Sequence, residues 1–226
     1  AQLKTLSKFY RKPVAIFFFP EPPQLKNITA SCRTLPINLD LIYTKNIARL
    51  LDEARVMQLN LYELNDNENP YIYKINSENF DCFDIKSVAK KMRSILNISL
   101  EQQKKIRKYE DAFEKWRDSF YQIGIYVFKT AFKNDDISGF CLYDDKFPII
   151  YINNSFSLSR QIFTLFHELY HILYRTSGID LFYDPPNARY RSKSDEIIEK
   201  YCNMFAGEFL VPNDDFELNI SGKFFS

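Results

Sequence analysis

The run Arg160-Gln-Ile-Phe-Thr-Leu-Phe-His-Glu-Leu-Tyr-His-Ile-Leu-Tyr174 decides how this chain is read. It holds the chain's two histidines, His167 and His171, four positions apart with Glu168 between them. Two histidines scattered at random over this length fall four apart in roughly one chain in a hundred, and a glutamate in the second place lowers that by a factor on the order of ten. At ~100° per residue, with His167 as origin, His171 falls at ~40°, Arg160 at ~20°, Tyr174 at ~−20°, Thr164 at ~60° and Glu168 at ~100°. These polar and hydroxyl side chains form one stripe. The rest of the helix surface carries Ile162, Phe163, Leu165, Phe166, Leu169, Tyr170, Ile172 and Leu173, so the pattern is that of a mostly buried helix with a single polar face.

That stripe has a chemistry. Side chains at i and i+4 have Cβ atoms ~5–6 Å apart, which lets His167 and His171 grip one ion. Glu168 stands to the side of the pair, where it can take a proton from a water that the ion activates. It would then deliver that proton to a leaving amine. The competing reading is a buried helix whose histidines merely hydrogen-bond in the core. Two adjacent imidazoles beside a carboxylate need polar partners in any case, and a metal supplies them most economically.

A third protein ligand is then required, and the helix predicted to start at Ser194 is the place to look. Glu199 shares a face there with Asn203, Leu210 and the small residue Ala206, which permits close helix approach. Glu196 and Cys202 are its competitors. Asp195 and Glu196 read better as first-turn acids that complement the helix dipole. A lone thiolate beside two histidines is the less usual peptidase arrangement.

The bulk composition sets bounds around this site. A chain of 226 residues that is 46% hydrophobic, with 21 Phe and 15 Tyr, can build an aromatic-rich core. Its net charge of +1 offers no global electrostatic footprint for nucleic acid. Cys32, Cys82, Cys141 and Cys202 form no C-x-x-C pair. That pattern argues against a zinc knuckle and fits free thiols in a reducing cytosol. The longest apolar run, Val14 to Phe19, is far too short for a membrane span, and the N-terminus does not read as a signal peptide. A cytoplasmic location with no membrane partner is the expectation.

Three regions are expected along the chain. Residues 1–39 read as a linker-like segment: a short helix ended by Pro13, then Ala15 to Phe19 and the stiff Pro20-Glu-Pro-Pro23. The chain opens in mid-helix without an initiator Met, so a longer parent protein is expected. Residues 40–123 read as helical, with one helix from Asp40 to about Tyr62 and a second marked by Ile85, Val88, Ala89, Met92, Ile95 and Leu96. A third runs from a Ser99/Gln102 capping box through Ile106, Tyr109, Phe113, Trp116 and Phe120 to Gly124. Residues 124–226 form the remaining region. The strands near 125–128, 137–143 and 147–152 read as a small antiparallel meander. Ser157 or Ser159 caps the histidine helix, Gly178 ends it, and Pro212 stops the last helix. The fold class is therefore α+β.

Several spaced runs agree, in order, with one known family. Ile123-Gly-Ile-Tyr-Val-Phe128, Ile137-Ser-Gly-Phe140, Ile149-Ile-Tyr-Ile-Asn-Asn154 and the run from Arg160 to His171 resemble the ImmA/IrrE metallopeptidases. The run Glu199-Lys-Tyr-Cys-Asn-Met-Phe-Ala-Gly-Glu-Phe-Leu-Val-Pro212 resembles that family's E-x-x-A-N-x-F-A-x-x-L-L-x-P signature. Lys12 to Pro20 and Arg33-Thr34 look like the segment that follows a helix-turn-helix domain in fused members.

The resemblance implies a zincin-like domain with a small antiparallel sheet and a zinc-dependent endopeptidase activity. His167, His171 and Glu199 would be the ligands and Glu168 the base. Its expected substrate is a protein partner, a DNA-binding transcriptional repressor in a stress response, with no direct nucleic-acid contact by this segment. Zn²⁺ is the expected ion, and His₂-carboxylate sites also admit Mn²⁺ or Fe²⁺. The alternative is a sensor or antitoxin-like half of a helix-turn-helix regulator with little or only self-directed proteolysis. Two departures stand out: Cys202 replaces the usual Ala, and Tyr170 replaces the common Gly of H-E-L-G-H. Tyr170, Tyr174 and Tyr201 are the candidate oxyanion stabilisers.

Overall fold

The computed structural model describes residues 2–10, 14–18, 20, 41–76, 80–81, 83–133, 136–177, 179–181 and 193–221. The Pro20–Pro23 break, Gly178 and the Pro185-Pro186 loop lie wholly or partly outside the described residues. Nine helices are described: α1 (Gln2–Tyr10), α2 (Leu41–Leu64), α3 (Tyr73–Asn76), α4 (Ile85–Ile95), α5 (Leu100–Lys104), α6 (Tyr109–Tyr121), α7 (Leu158–Leu173), α8 (Lys193–Leu210) and α9 (Asn213–Ser221). A 3₁₀ turn spans Val14–Phe18. The strands are β1 (Tyr126–Thr130), β2 (Ile137–Leu142), β3 (Ile149–Asn153) and β4 (Ile179–Leu181). Among the described residues no helix is long and apolar enough to cross a membrane.

The sheet corrects the expected antiparallel meander. Its order is β1-β3-β2-β4, with β1 parallel to β3 and β2 antiparallel to both β3 and β4. The first two strands do run in opposite directions, but β3 inserts between them. Every residue of β2 and β3 is buried, so each needs a neighbour on both edges. Asn153 at the end of β3 holds the insertion. Its Nδ2 donates to the Ile137 carbonyl at 2.8 Å, and its Oδ1 accepts from the Phe132 amide at 3.3 Å.

The two sheet faces separate two cores by strand alternation. Ile149, Tyr151, Phe140 and Leu142 join Ile47, Leu50, Leu51 and Ala54 of α2 in one cluster. Ile150, Ile152 and Cys141 join Phe166, Trp116, Phe205 and Phe209 in the other. The architecture is thus α2, sheet, then a helical layer in which α7 packs on β2, β3, α6 and α8. Three aromatic side chains fasten that helical layer. Trp116 of α6 meets Phe166 of α7 edge-on at 5.0 Å, and Phe166 stacks on Phe209 of α8 at 4.2 Å.

The helical boundaries also depart from expectation in two places. The third helix divides into α5 and α6 around Lys105–Lys108. Lys104, Lys105, Arg107 and Lys108 crowd four cations into that stretch, whereas Glu110 and Asp111 favour a fresh N-terminus just beyond it. The Ser99/Gln102 capping box is present. Likewise α7 begins at the Ser157 cap but ends at Leu173, before Gly178. Arg175 takes the left-handed conformation there, at φ 56. The Thr176 amide bonds the His171 carbonyl at 2.8 Å and the Arg175 amide bonds that of Ile172 at 3.0 Å, a Schellman motif without glycine.

Gly139 sets how closely α7 lies on the sheet. A Cβ at that position would meet Thr164 Cγ2 at 2.4 Å and the Tyr151 carbonyl oxygen at 2.9 Å. Thr164 sits one turn before His167, so the missing side chain lets the histidine helix seat on β2. We expect Gly139→Ala to destabilise the fold by about 1–3 kcal/mol, the usual range for overpacking. Urea unfolding followed by Trp116 fluorescence measures it; an unchanged midpoint would show that the helix has room to give.

Candidate metal centre

The helix pair α7/α8 brings His167, His171 and Glu199 together, with Glu168 buried on the same helix as the histidines. Glu199 reaches across from α8, with Oε2 3.2 Å from His167 Nε2 and Oε1 3.6 Å from His171 Nε2. The imidazole centroids are 5.2 Å apart. His167 and His171 are 1% exposed, Glu168 0% and Glu199 8%. Isolated carboxylates are not left in such surroundings, so this burial calls for a compensating charge.

Outward hydrogen bonds orient both rings. His167 Nδ1 lies 3.1 Å from Asn203 Oδ1, an atom that can only accept, so Nδ1 carries the proton. His171 Nδ1 lies 3.2 Å from Thr176 Oγ1, whose own hydroxyl donates to the His171 carbonyl at 3.2 Å. The hydroxyl proton being committed, that oxygen accepts from Nδ1–H. In the neutral rings both Nε2 lone pairs then turn inward, towards the Glu199 oxygens. Electron pairs converging on one buried space repel unless a metal ion or a proton lies among them. His167, His171 and Glu199 therefore fit a divalent ion, held by imidazoles whose far nitrogens are fixed by hydrogen bonds.

Neither outward partner was assigned a role from sequence. Asn203 was visible as a neighbour of Glu199 one turn on, on the same face. Thr176 left no signal, because its position depends on how α7 ends. The Schellman turn carries the chain back under the last turn of α7 and sets Thr176 beside the ring of His171. The Tyr143 amide donates to Ser177 Oγ at 2.9 Å and Cys141 Sγ lies 3.8 Å from the Thr176 carbonyl, which tie the turn to β2. The Tyr143 phenol, pushed up to about 12 by burial and its bond to Asp145, stays protonated at neutral pH.

Of the competitors for third ligand, Glu196 is exposed on the first turn of α8. Cys202 is fully buried, and its Sγ and one nitrogen of each histidine all lie within 4.8 Å of one another. Tyr170 is also buried in the core, its ring 5.3 Å from Phe205 and 6.2 Å from Tyr174. It fills the core under the histidine face rather than opening onto solvent. Tyr201 packs edge-on to Phe83 at 5.8 Å.

The C-terminal end of α8 is clamped by its neighbours, which steadies Glu199 at the other end. Arg93 of α4 donates to the Phe209 carbonyl and lies over that ring at 4.4 Å. Gln103 of α5 donates to the Leu210 carbonyl at 2.8 Å. These side chains satisfy carbonyls that the helix itself leaves open, with a cation at the negative end of the dipole.

A small sheet, an H-E-x-x-H helix packed on it and a second helix presenting a glutamate to both histidines define a metallopeptidase-like domain. The family model for the IrrE N-terminal-like domain, Peptidase_M78, matches residues 121–221. That match supports an ImmA/IrrE family assignment for this segment. No curated protein matches the chain. No solved structure matches it either.

Removing an outward acceptor should loosen the ring it holds. Thr176→Val and Asn203→Ala are each expected to weaken zinc binding ~10–100-fold, the usual effect of losing such a partner. Competition against a chromophoric chelator reads this; unchanged affinity in both would mean that the rings are held by packing alone.

Proposed function

We propose that this domain is a zinc-dependent endopeptidase acting on a protein partner, a DNA-binding transcriptional repressor or regulator. The observation that carries the reading is the inward convergence of His167 Nε2, His171 Nε2 and both Glu199 oxygens in a buried space. His167, His171 and Glu199 would hold the ion. When bound, zinc polarises the scissile carbonyl and makes water a competent nucleophile at neutral pH.

The remaining chemistry falls to the chain. Glu168 is anchored on the helix that carries both histidines, one residue past His167. It takes the proton of the attacking water as the new C–O bond forms. It then returns that proton to the amide nitrogen as the C–N bond breaks, so one side chain serves as base and acid in turn. Asn203 and Thr176 keep the imidazoles from rotating during these steps. The match of residues 121–221 to the peptidase family model supports a peptidase; the repressor as substrate rests on the resemblance to the ImmA/IrrE metallopeptidases.

The test pairs metal content with cleavage. Wild-type protein should hold one zinc per chain and cut a DNA-binding transcriptional repressor. Glu168→Gln should keep the zinc and lose at least ~10²-fold in cleavage rate, the lower end of general acid–base contributions. Equal cleavage by the variant would sink the assigned mechanism, and a wild type free of zinc after loading would sink the metal site.

A further inference from the structure

Among the described residues, Cys202 is the buried, metal-competent side chain beside the site that the proposed mechanism leaves unused. It follows Glu199 by three residues on α8, so both project from the same side of the helix. It is as inaccessible as the histidines and occupies the same cluster, with Sγ within 4.8 Å of one ring nitrogen of each. The other cysteine among the described residues gives the contrast. Cys141 is equally buried, but its Sγ faces the Thr176 carbonyl at 3.8 Å and belongs to no such donor cluster. Donors on a single tetrahedral zinc stand ~3.5 Å apart, given Zn–N near ~2.1 Å and Zn–S near ~2.3 Å. The spacing to the histidines exceeds that by at most about 1.3 Å.

We propose that Cys202 is a further donor to the ion held by His167, His171 and Glu199, giving the site a closed His₂-Glu-Cys state. This rests on the metal reading above. On coordination the thiol proton leaves to solvent and sulfur donates its electron pair; no oxidant or reductant is involved. Four protein donors complete a tetrahedral shell, so the position needed by water opens only when Sγ withdraws or the shell expands. A sulfur donor also biases the site towards thiophilic ions, zinc and cobalt, and against manganese and magnesium.

Cobalt substitution of the full chain tests this without a substrate. Wild-type protein loaded with Co²⁺ should show a near-ultraviolet sulfur-to-cobalt charge-transfer band that disappears in Cys202→Ala and Cys202→Ser and survives in Cys141→Ala. In chelator competition, Cys202→Ala should weaken Zn²⁺ binding at least ~10-fold and leave Mn²⁺ binding unchanged, as expected for loss of a soft ligand. Two variants guard against a folding defect in either one, and the wild-type band is informative by itself. Cobalt bound with no such band, or a band indifferent to both Cys202 variants, overturns the proposal. His167→Ala separates the two readings: if it abolishes cobalt binding while the band is absent from wild type, only the role of Cys202 fails. If it leaves cobalt binding intact, the metal site itself fails and the proposal with it.

Discussion

His167, His171 and Glu199 are held against one another in the interior, where each alone would cost several kcal/mol of lost hydration. That contact exists because α7 and α8 pack closely against each other. The helices are drawn together by Phe166, Phe205 and Phe209, large rings that each contribute roughly 2–3 kcal/mol when buried. Ala206, fully buried on the face that carries Glu199, keeps the helix surface low enough for the carboxylate to reach across. Apolar packing thus sustains a polar contact that would not be stable without it.

The surrounding structure removes freedom from that contact. Gly139 seats α7 on β2 at Thr164, and Arg160 Nη2 donates to Ser138 Oγ at 3.0 Å near the start of the same helix. The turn after Leu173 returns Thr176 to His171. Arg93 and Gln103 clamp the far end of α8. The aromatic side chains fix where the helices lie, whereas the hydrogen bonds fix how the rings are turned. A metal site needs both, since an imidazole in the right place but rotated by half a turn presents the wrong nitrogen.

Much of the arrangement was legible in the residues. The 3.6-residue period exposed a buried helix with one polar stripe, and the same periodicity placed Glu199 on a face made for close approach. Ser99 with Gln102 announced a helix start by local hydrogen bonding alone. The sheet order is not legible in the sequence because side chains alternate between faces in the same way in parallel and antiparallel strands. β1 and β2 look like a hairpin in sequence, and only the insertion of β3 between them reveals otherwise. The end of α7 was misplaced for a related reason: Arg175 adopts a conformation that glycine usually supplies, so the expected punctuation pointed to Gly178.

By itself the sequence determined the donor types and their spacing along each helix: two imidazoles one turn apart, a neighbouring carboxylate, and a second helix offering Glu199 and Cys202. Those are consequences of a single repeating geometry, so they can be read without knowing where the helices go. The tertiary structure decided which of these groups meet. It turned Nε2 of both histidines towards Glu199, left Glu196 in solvent, buried Tyr170 under the site and brought Cys202 to its side. Each of those outcomes depends on the rotation of one element against another, and that rotation is fixed by packing among residues far apart in the chain.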